Sequence, residues 1–563
     1  MITLKNLILN EFFPIELPKC FSTKGVLPYI DNISGWVTSV SPKCSSALKF
    51  SGFKSETARR QFSVPNFYHY FKAARFISEK SNEILNITDK QKNYSLTAPI
   101  KGTPTEEQSY KKMSFSKTQT KTQVEKKYLD NSFMLKLDIS SFFDSIYTHS
   151  LPWAIHTKRI AKRERNNLDY WGNKLDVYMR SMNSDQTNGI LVGNALSRIV
   201  SEIILCTVDT SIQKAFPELQ YVRFVDDYYI FVKDETQIQP IIAFIRKELL
   251  EYELSLNETK IKIYKSPFFF DSPWIEELKL FLHSPAEQLL NKAINLYNEY
   301  EDVSIFRYAL KAVSLQSVRS DVWERLESKI YNLWVRFPSL TELILPLLMQ
   351  KESSLRKATL KNVIYTLFNK CILLNLQQEL IWVIFSLKVL NIRNIKQDIA
   401  LQVFESHNDL AIILILDFIS SNIIAKTGAI QDKINELRND LEEADIQENG
   451  ENGALMNTSN WLLAYEAQLH KWLDTADNKF LCVNNNPFFK SMLAKKIDFY
   501  DSSFSITKAS EASAKTAFTR KEVKDYLMLV KRAVENPEEI DLFETIKSTN
   551  EKFLESISET TYS

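Results

Sequence analysis

The sequence is poor in the features that mark secreted, membrane-spanning and turn-rich proteins. Its five cysteines, Cys20, Cys44, Cys206, Cys371 and Cys482, are an odd number without paired spacing, which argues against both a disulfide framework and a zinc site. No basic region followed by an apolar core and a small-residue cleavage site stands at the N-terminus, and no uninterrupted apolar run is long enough to cross a bilayer. A cytoplasmic protein with no membrane partner is the expectation. Glycine is scarce, 10 in 563 residues. Between Pro346 and Pro487 there is no proline, and the only glycines are Gly428, Gly450 and Gly453, which is hard to reconcile with a β domain rich in turns. Excess charge is missing too: 70 lysines and arginines face 69 acids, for a net charge of +1, whereas a protein that merely coats nucleic acid is more basic. None of the 6 histidines has an arginine five positions before it, so a ribonuclease motif of the Arg-x4-His type is absent.

What is present is carboxylate at the ends of apolar runs. Leu137-Asp138-Ile139-Ser140-Ser141-Phe142-Phe143-Asp144 and, further on, Arg223-Phe224-Val225-Asp226-Asp227-Tyr228-Tyr229 each attach acids to a β-forming stretch, so the acids can converge while their neighbours are buried in one sheet. An Asp-Asp turn between aromatics joins strands in many proteins and means little alone. Paired with a second acidic segment it has a chemical reading: converging carboxylates need a cation, and aspartates suit hard divalent ions. Asp138 and Asp226, with Asp227 beside them, are expected to hold two Mg²⁺ ions, with Mn²⁺ as a substitute. Two such ions about 3.5–4 Å apart activate an attacking hydroxyl and stabilise a departing pyrophosphate in phosphoryl transfer. A carboxyl of Asp138 remote from the 226–227 turn, or a basic side chain filling that pocket, would contradict the expectation. Asp144 reads as a hairpin or helix-capping residue.

Between the acidic motifs, Gln186-Thr187-Asn188-Gly189-Ile190-Leu191-Val192-Gly193-Asn194-Ala195-Leu196-Ser197-Arg198 runs into an apolar face of Ile199, Ile203, Ile204 and Val208, a loop leading into a helix. Backbone without Cβ at Gly189 and Gly193 would let a base pair or primer end come close. Leu254-Ser255-Leu256-Asn257-Glu258-Thr259-Lys260-Ile261-Lys262-Ile263 alternates apolar and polar residues as a half-buried strand does. Two basic stretches flank the first acidic motif: Lys111, Lys112, Lys117, Lys121, Lys126 and Lys127 before it, and Lys158, Arg159, Lys162, Arg163 and Arg165 after it. They could hold a nucleic-acid backbone by counterion release, although a charge run is more often a solvated face.

These motifs in this order resemble the reverse-transcriptase palm, and more narrowly the bacterial abortive-infection reverse transcriptases. The narrower likeness rests on Ala58-Arg59-Arg60-Gln61 with Val64-Pro65-Asn66-Phe67-Tyr68, on Tyr147-Thr148-His149-Ser150-Leu151-Pro152-Trp153, and on Gly193-Asn194-Ala195-Leu196-Ser197-Arg198-Ile199. It spans about residues 55–265, with a fainter echo at Asn486-Pro487-Phe488-Phe489. The resemblance implies roles. Arg60, or Arg59 beside it, would grip the triphosphate, for which a planar guanidinium of fixed charge is suited. Phe143 would lie beneath the incoming sugar and leave no room for a 2′-hydroxyl, its other reading being an ordinary core aromatic. Lys260 would protonate the leaving pyrophosphate, unless it is a plain strand lysine. The Gly189–Gly193 loop would cradle template and nascent pair, with Leu191 replacing the usual proline and so altering its shape.

The same resemblance implies a phage-defence enzyme that polymerises deoxynucleoside triphosphates. Synthesis is without a template in some members, with a protein tyrosine as primer, so that the single-stranded DNA product stays covalently attached. Oligomers of the chain are implied as well. Other defence reverse transcriptases work with a non-coding RNA, and a third reading is a catalytically silent member of the fold that senses phage. For the primer, Tyr29 and the C-terminal Tyr562 are bare candidates.

The second half changes character. From about Ser284 a helical period sets in, with Ser284 as cap, Pro285 in the first turn and Glu287 three after the cap. Apolar faces follow at Leu290, Ala293, Ile294 and Tyr297, at Trp323, Leu326, Ile330 and Leu333, and through Val363, Leu367, Trp382 and Phe385. The acidic stretch Asn439–Gly453 reads as a solvent loop, and Lys521 to Val534 as a helix between polar tails. The fold class expected is α+β: reverse-transcriptase-like fingers and palm over 1–270, an all-α domain over 271–504 that the resemblance, rather than any repeat period, implies is HEAT-like, and a C-terminal helix and tail over 505–563.

Overall fold

A computed structural model describes residues 2–36, 43–99, 127, 130–267, 272–282, 284–314, 318, 320–447, 454–473 and 486–504. The calls on Lys521 to Val534 and on Tyr562 lie outside them.

The first half is mixed α and β. A hairpin of β1 (Leu48–Phe53) and β2 (Arg59–Val64) precedes the helix Phe67–Glu79, whose first turn is closed by Asn66 accepting from the Tyr68 N–H at 3.0 Å. A four-stranded antiparallel sheet follows in the order β4-β5-β3-β6, from β3 (Phe133–Asp138), β4 (Gln220–Phe224), β5 (Asp227–Val232) and β6 (Lys262–Lys265). Because side chains alternate across a strand, Leu135, Leu137, Tyr221, Tyr228 and Ile230 share one face. They join the main core with Ile203, Ile204 and Val208 of the helix Ala195–Ala215 and Ile241 and Ile245 of the helix Ile238–Leu250. The other face carries a small cluster of Met134, Val222 and Phe231, and on it lie the acids.

The second half is a succession of helices from Ala286–Tyr300 to Pro487–Ala494. The helix Gln377–Val389 docks on the hairpin: Gln377 and Gln378 accept from the backbone N–H groups of Ser51 and Phe53 at 2.7 and 2.8 Å, and the Trp382 indole donates to the Glu16 carbonyl at 2.7 Å. The last described segment returns to the beginning of the chain, where Phe499 packs on Phe12 and Phe67 and its carbonyl accepts from the Ser22 N–H at 2.9 Å. One core therefore takes in residues of both halves. Among the described residues no helix is long and apolar enough to cross a membrane.

Three local expectations are corrected. Proline itself, with its fixed φ, takes the cap position of Ala286–Tyr300, and no side chain caps that helix; Glu287 pairs with Arg325 and Lys329 instead. The acidic stretch is helical as far as Gln447, because Ile430, Ile434, Leu437 and Leu441 give the helix Gly428–Gln447 an inward stripe. The alternation of 254–263 does not make one strand. The Asn257 backbone N–H turns inward, donating to the Asp138 carbonyl at 2.7 Å, which leaves Glu258–Lys260 as a 3₁₀ turn ahead of a short edge strand with no buried residue.

Candidate active site

The two acidic motifs meet at one end of the sheet. Asp138, the last residue of β3, lies directly opposite Asp227, the first residue of β5. Phe224 and Asp227 close the two-residue turn that holds Val225 and Asp226. Such tight hairpins favour glycine where φ is positive, yet this turn places Val225 at φ +53°.

Electrostatics show how near the acids are to one another. The Asp226 carboxyl is pushed up to about 6, first by burial and then by the neighbouring charges of Asp227 and Asp138, while the Arg60 guanidinium pulls it down. Asp227 is raised chiefly by burial and in part by Asp138, against the lowering charges of Lys136 and Lys260. Buried like charges without compensation are costly. Part of the compensation is Lys260, whose Nζ lies 2.7 Å from Asp138 Oδ2.

A basic side chain thus does reach the pocket, the circumstance named above as contrary to a metal role. Its setting differs from that of a buried counter-ion: the Lys260 side chain is 56% exposed and stands in the 3₁₀ turn Glu258–Lys260. Among the described residues, no cluster of three or more His, Cys, Asp or Glu is gathered tightly enough to hold a metal ion as it stands. The donors are nevertheless the hard oxygens that Mg²⁺ takes, and the mutual destabilisation of the acids is what a divalent cation would relieve. The fit is one of donor chemistry, and closing on a cation requires Lys260 to leave Asp138.

The remaining candidates sit as follows. Arg59 is drawn away from the acids, its guanidinium forked onto Glu379 of the helix Gln377–Val389 at 2.5 and 2.6 Å. Arg60 is exposed, and of the two arginines it is the one whose charge acts on Asp226. Phe143 is half-buried in the short helix Phe142–Ser145, and its carbonyl accepts from the Ile190 N–H at 2.9 Å, tying it to the glycine loop. Gly189 and Gly193 both have positive φ, +81° and +103°. A Cβ on Gly193 would meet Pro14 at 2.7 Å, and one on Gly189 the Asp144 carbonyl at 3.2 Å, so close approach of the protein's own chain already requires both glycines. The loop ends where Asn194 caps the helix Ala195–Ala215. Tyr29 is half-buried in a 3₁₀ turn against Trp36.

Sequence reasoning missed a buried layer beneath the turn. Arg223 is fully buried between Glu202 and Asp209, and the Thr97 hydroxyl donates to Glu202. The available signal was an arginine inside the apolar run Tyr221-Val222-Arg223-Phe224 and two acids seven apart on an apolar helix face.

Residues 79–272 match the family described as reverse transcriptase (RNA-dependent DNA polymerase), a span that takes in Asp138, the glycine loop, the 226–227 turn and Lys260. A reverse-transcriptase domain is therefore present. No curated protein matches the sequence. Among solved structures, the chain is similar to apo telomerase from Candida tropicalis truncated from its C-terminal domain, at 15% identity and TM-score 0.27 over 44% of this chain. It spans 56% of the length of that protein. It is also similar to telomerase from Candida albicans in complex with a TWJ fragment of telomeric RNA, at 12% identity and TM-score 0.26 over 61% of this chain and 68% of that one. A further apo telomerase from Candida tropicalis aligns at 11% identity and TM-score 0.28 over 82% of this chain and 77% of that one. Likeness at these scores says nothing of what this chain binds or does.

Proposed function

We propose that this chain, which its reverse-transcriptase domain makes an RNA-directed DNA polymerase-like nucleotidyltransferase, serves a bacterial antiphage system of the abortive-infection kind. In this reading it joins deoxynucleotides without a template on a protein tyrosine, works as a homo-oligomer in the cytoplasm and carries the DNA product covalently. The motifs quoted above, which resemble those of abortive-infection reverse transcriptases and of AbiK in particular, support the biological assignment. The observation that carries the chemistry is the pairing of Asp138 with Asp227 beside Asp226.

Asp138, Asp226 and Asp227 would hold Mg²⁺ or Mn²⁺, and the bound ions would supply activation of the attacking hydroxyl and charge neutralisation on the leaving group. Arg60, on the hairpin facing the acids, steadies the triphosphate. Lys260, paired with Asp138 here, would be released by a bound cation and would then supply a proton to the departing pyrophosphate. Phe143 shapes the floor under the sugar. Arg59 contributes indirectly, by fastening its strand to Glu379.

A second reading, the catalytically silent sensor, is favoured by one observation: Lys260 already neutralises Asp138. Purified protein with labelled deoxynucleotides and Mg²⁺, with and without nuclease pretreatment, separates the readings. Product that survives RNase and DNase supports untemplated synthesis, product lost with RNase points to a non-coding RNA, and no product supports the sensor.

A further inference from the structure

The turn that presents Asp226 is held by a buried arginine. Arg223 lies on β4, on the face turned to the helix Ala195–Ala215, and its side chain is 0% exposed. Its guanidinium spends every edge. Nε and Nη2 donate to Asp209 Oδ2 at 3.0 and 2.7 Å, Nη1 and Nη2 donate to the two oxygens of Glu202 at 3.1 and 2.9 Å, and Nη1 also donates to the Val225 carbonyl at 2.9 Å. Glu202 and Asp209 are two helical turns apart, so both project from one face.

The other backbone group of Val225 is captured by the same network. Its N–H donates to the Thr97 hydroxyl at 3.1 Å, and that hydroxyl donates to Glu202 Oε1 at 2.5 Å. Ser95 donates to the second Glu202 oxygen at 3.0 Å. Thus both polar groups of one peptide-chain residue are fixed, and that residue is a β-branched valine at φ +53°. A β-branched valine enters the left-handed region only against a steric penalty and stays there only where its surroundings over-determine it. The residue so restrained is the one that precedes Asp226.

Resting on the catalytic reading above, we infer that Arg223, with Glu202 and Thr97, is a positioning device that presets the Val225–Asp226 turn for cation binding. Tying helix to sheet would by itself need only the Arg223–Asp209 pair. The bonds to the Val225 carbonyl and N–H extend the network to the turn, which the Arg223–Asp209 pair does not touch.

Two substitutions test this. Thr97→Val keeps the shape and removes the acceptor of the Val225 N–H. Arg223→Lys keeps the buried charge but cannot span both acids and the Val225 carbonyl. For each, folding is followed by near-ultraviolet circular dichroism and melting temperature, Mn²⁺ binding without nucleotide by calorimetric titration, and the Mg²⁺ dependence of deoxynucleotide incorporation. The expected result is a folded protein whose Mn²⁺ dissociation constant and half-maximal Mg²⁺ concentration both rise by about tenfold, while Thr97→Ser, which restores the hydroxyl, behaves as wild type. A folded Thr97→Val or Arg223→Lys protein with wild-type cation affinity would overturn the inference, and the lysine variant decides if the valine variant does not fold. Wild-type protein that bound no cation would overturn the catalytic reading, and this one with it, a result distinct from unaltered binding in the variants.

Discussion

At the residue scale, burial and mutual repulsion make the carboxylates of Asp226 and Asp227 poor anions until a cation joins them. Asp226, held up to about 6, gives a signed expectation. In metal-free protein the folded state binds this proton more tightly than the unfolded chain does, so stability from this group is fully present at low pH. It is lost as pH rises through about 6. Melting temperatures measured in chelator from pH 5 to 7 should fall along this slope, and Asp226→Asn should flatten it. Saturating Mg²⁺ reverses the sign, because protons then compete with the cation. Lys260→Met removes the ammonium from Asp138. An exposed ion pair is worth about 0.2–1 kcal/mol, so Mn²⁺ binding without nucleotide should tighten by a factor of about 1.4 to 5 while incorporation slows by about 10²-fold through loss of the proton donor. Unchanged Mn²⁺ affinity would show that Lys260 does not guard the site. That the three aspartates would meet at one end of the sheet was legible because alternation and turn chemistry are local. Arg223 with its partners was not, since nothing local tells which face of β4 meets which turn of a helix.

At the element scale, the β1–β2 hairpin is where the helical half acts on the site. Arg59 and Glu379 differ in burial, with side chains 30% and 3% exposed, and the difference sets an order. Arg59→Met strands a buried carboxylate and should cost about 1–3 kcal/mol; Glu379→Gln leaves a guanidinium that can rehydrate and should cost less, about 1 kcal/mol or below. Urea unfolding checks the order, and equal costs would contradict it. Both variants should raise the KM for deoxynucleotides, because Arg60 rides on the same strand. The helix signal of the second half was readable from its apolar spacing, and so was the loop-to-helix passage capped by Asn194. The run 254–263 misled because a strand's alternation cannot report that Asn257 is pulled to the Asp138 backbone. The acidic stretch misled because its charges conceal that Leu441 continues the helical spacing of Ile434 and Leu437.

At the scale of the whole molecule, the halves expected from sequence as consecutive domains share apolar packing. Phe499 lies against Phe12 and Phe67, and Tyr500 bridges to Phe21 while its hydroxyl donates to Asp417 at 2.8 Å. Residues 1–283 alone should therefore show no cooperative melting transition, whereas the full chain should show one dominant transition by calorimetry; independent melting of the fragment would contradict a common core. Such long-range closure leaves no trace in a local pattern, so the change of periodicity near residue 270 could not report the packing between the two halves. The most direct measurement is incorporation of labelled deoxynucleotide by the purified full chain in Mg²⁺, beside the Asp226→Ala/Asp227→Ala variant. Incorporation by the wild type, abolished by chelator and absent from a variant that keeps the wild-type circular dichroism spectrum, is the predicted result. Equal incorporation by both proteins would contradict the assignment of these acids to the chemistry.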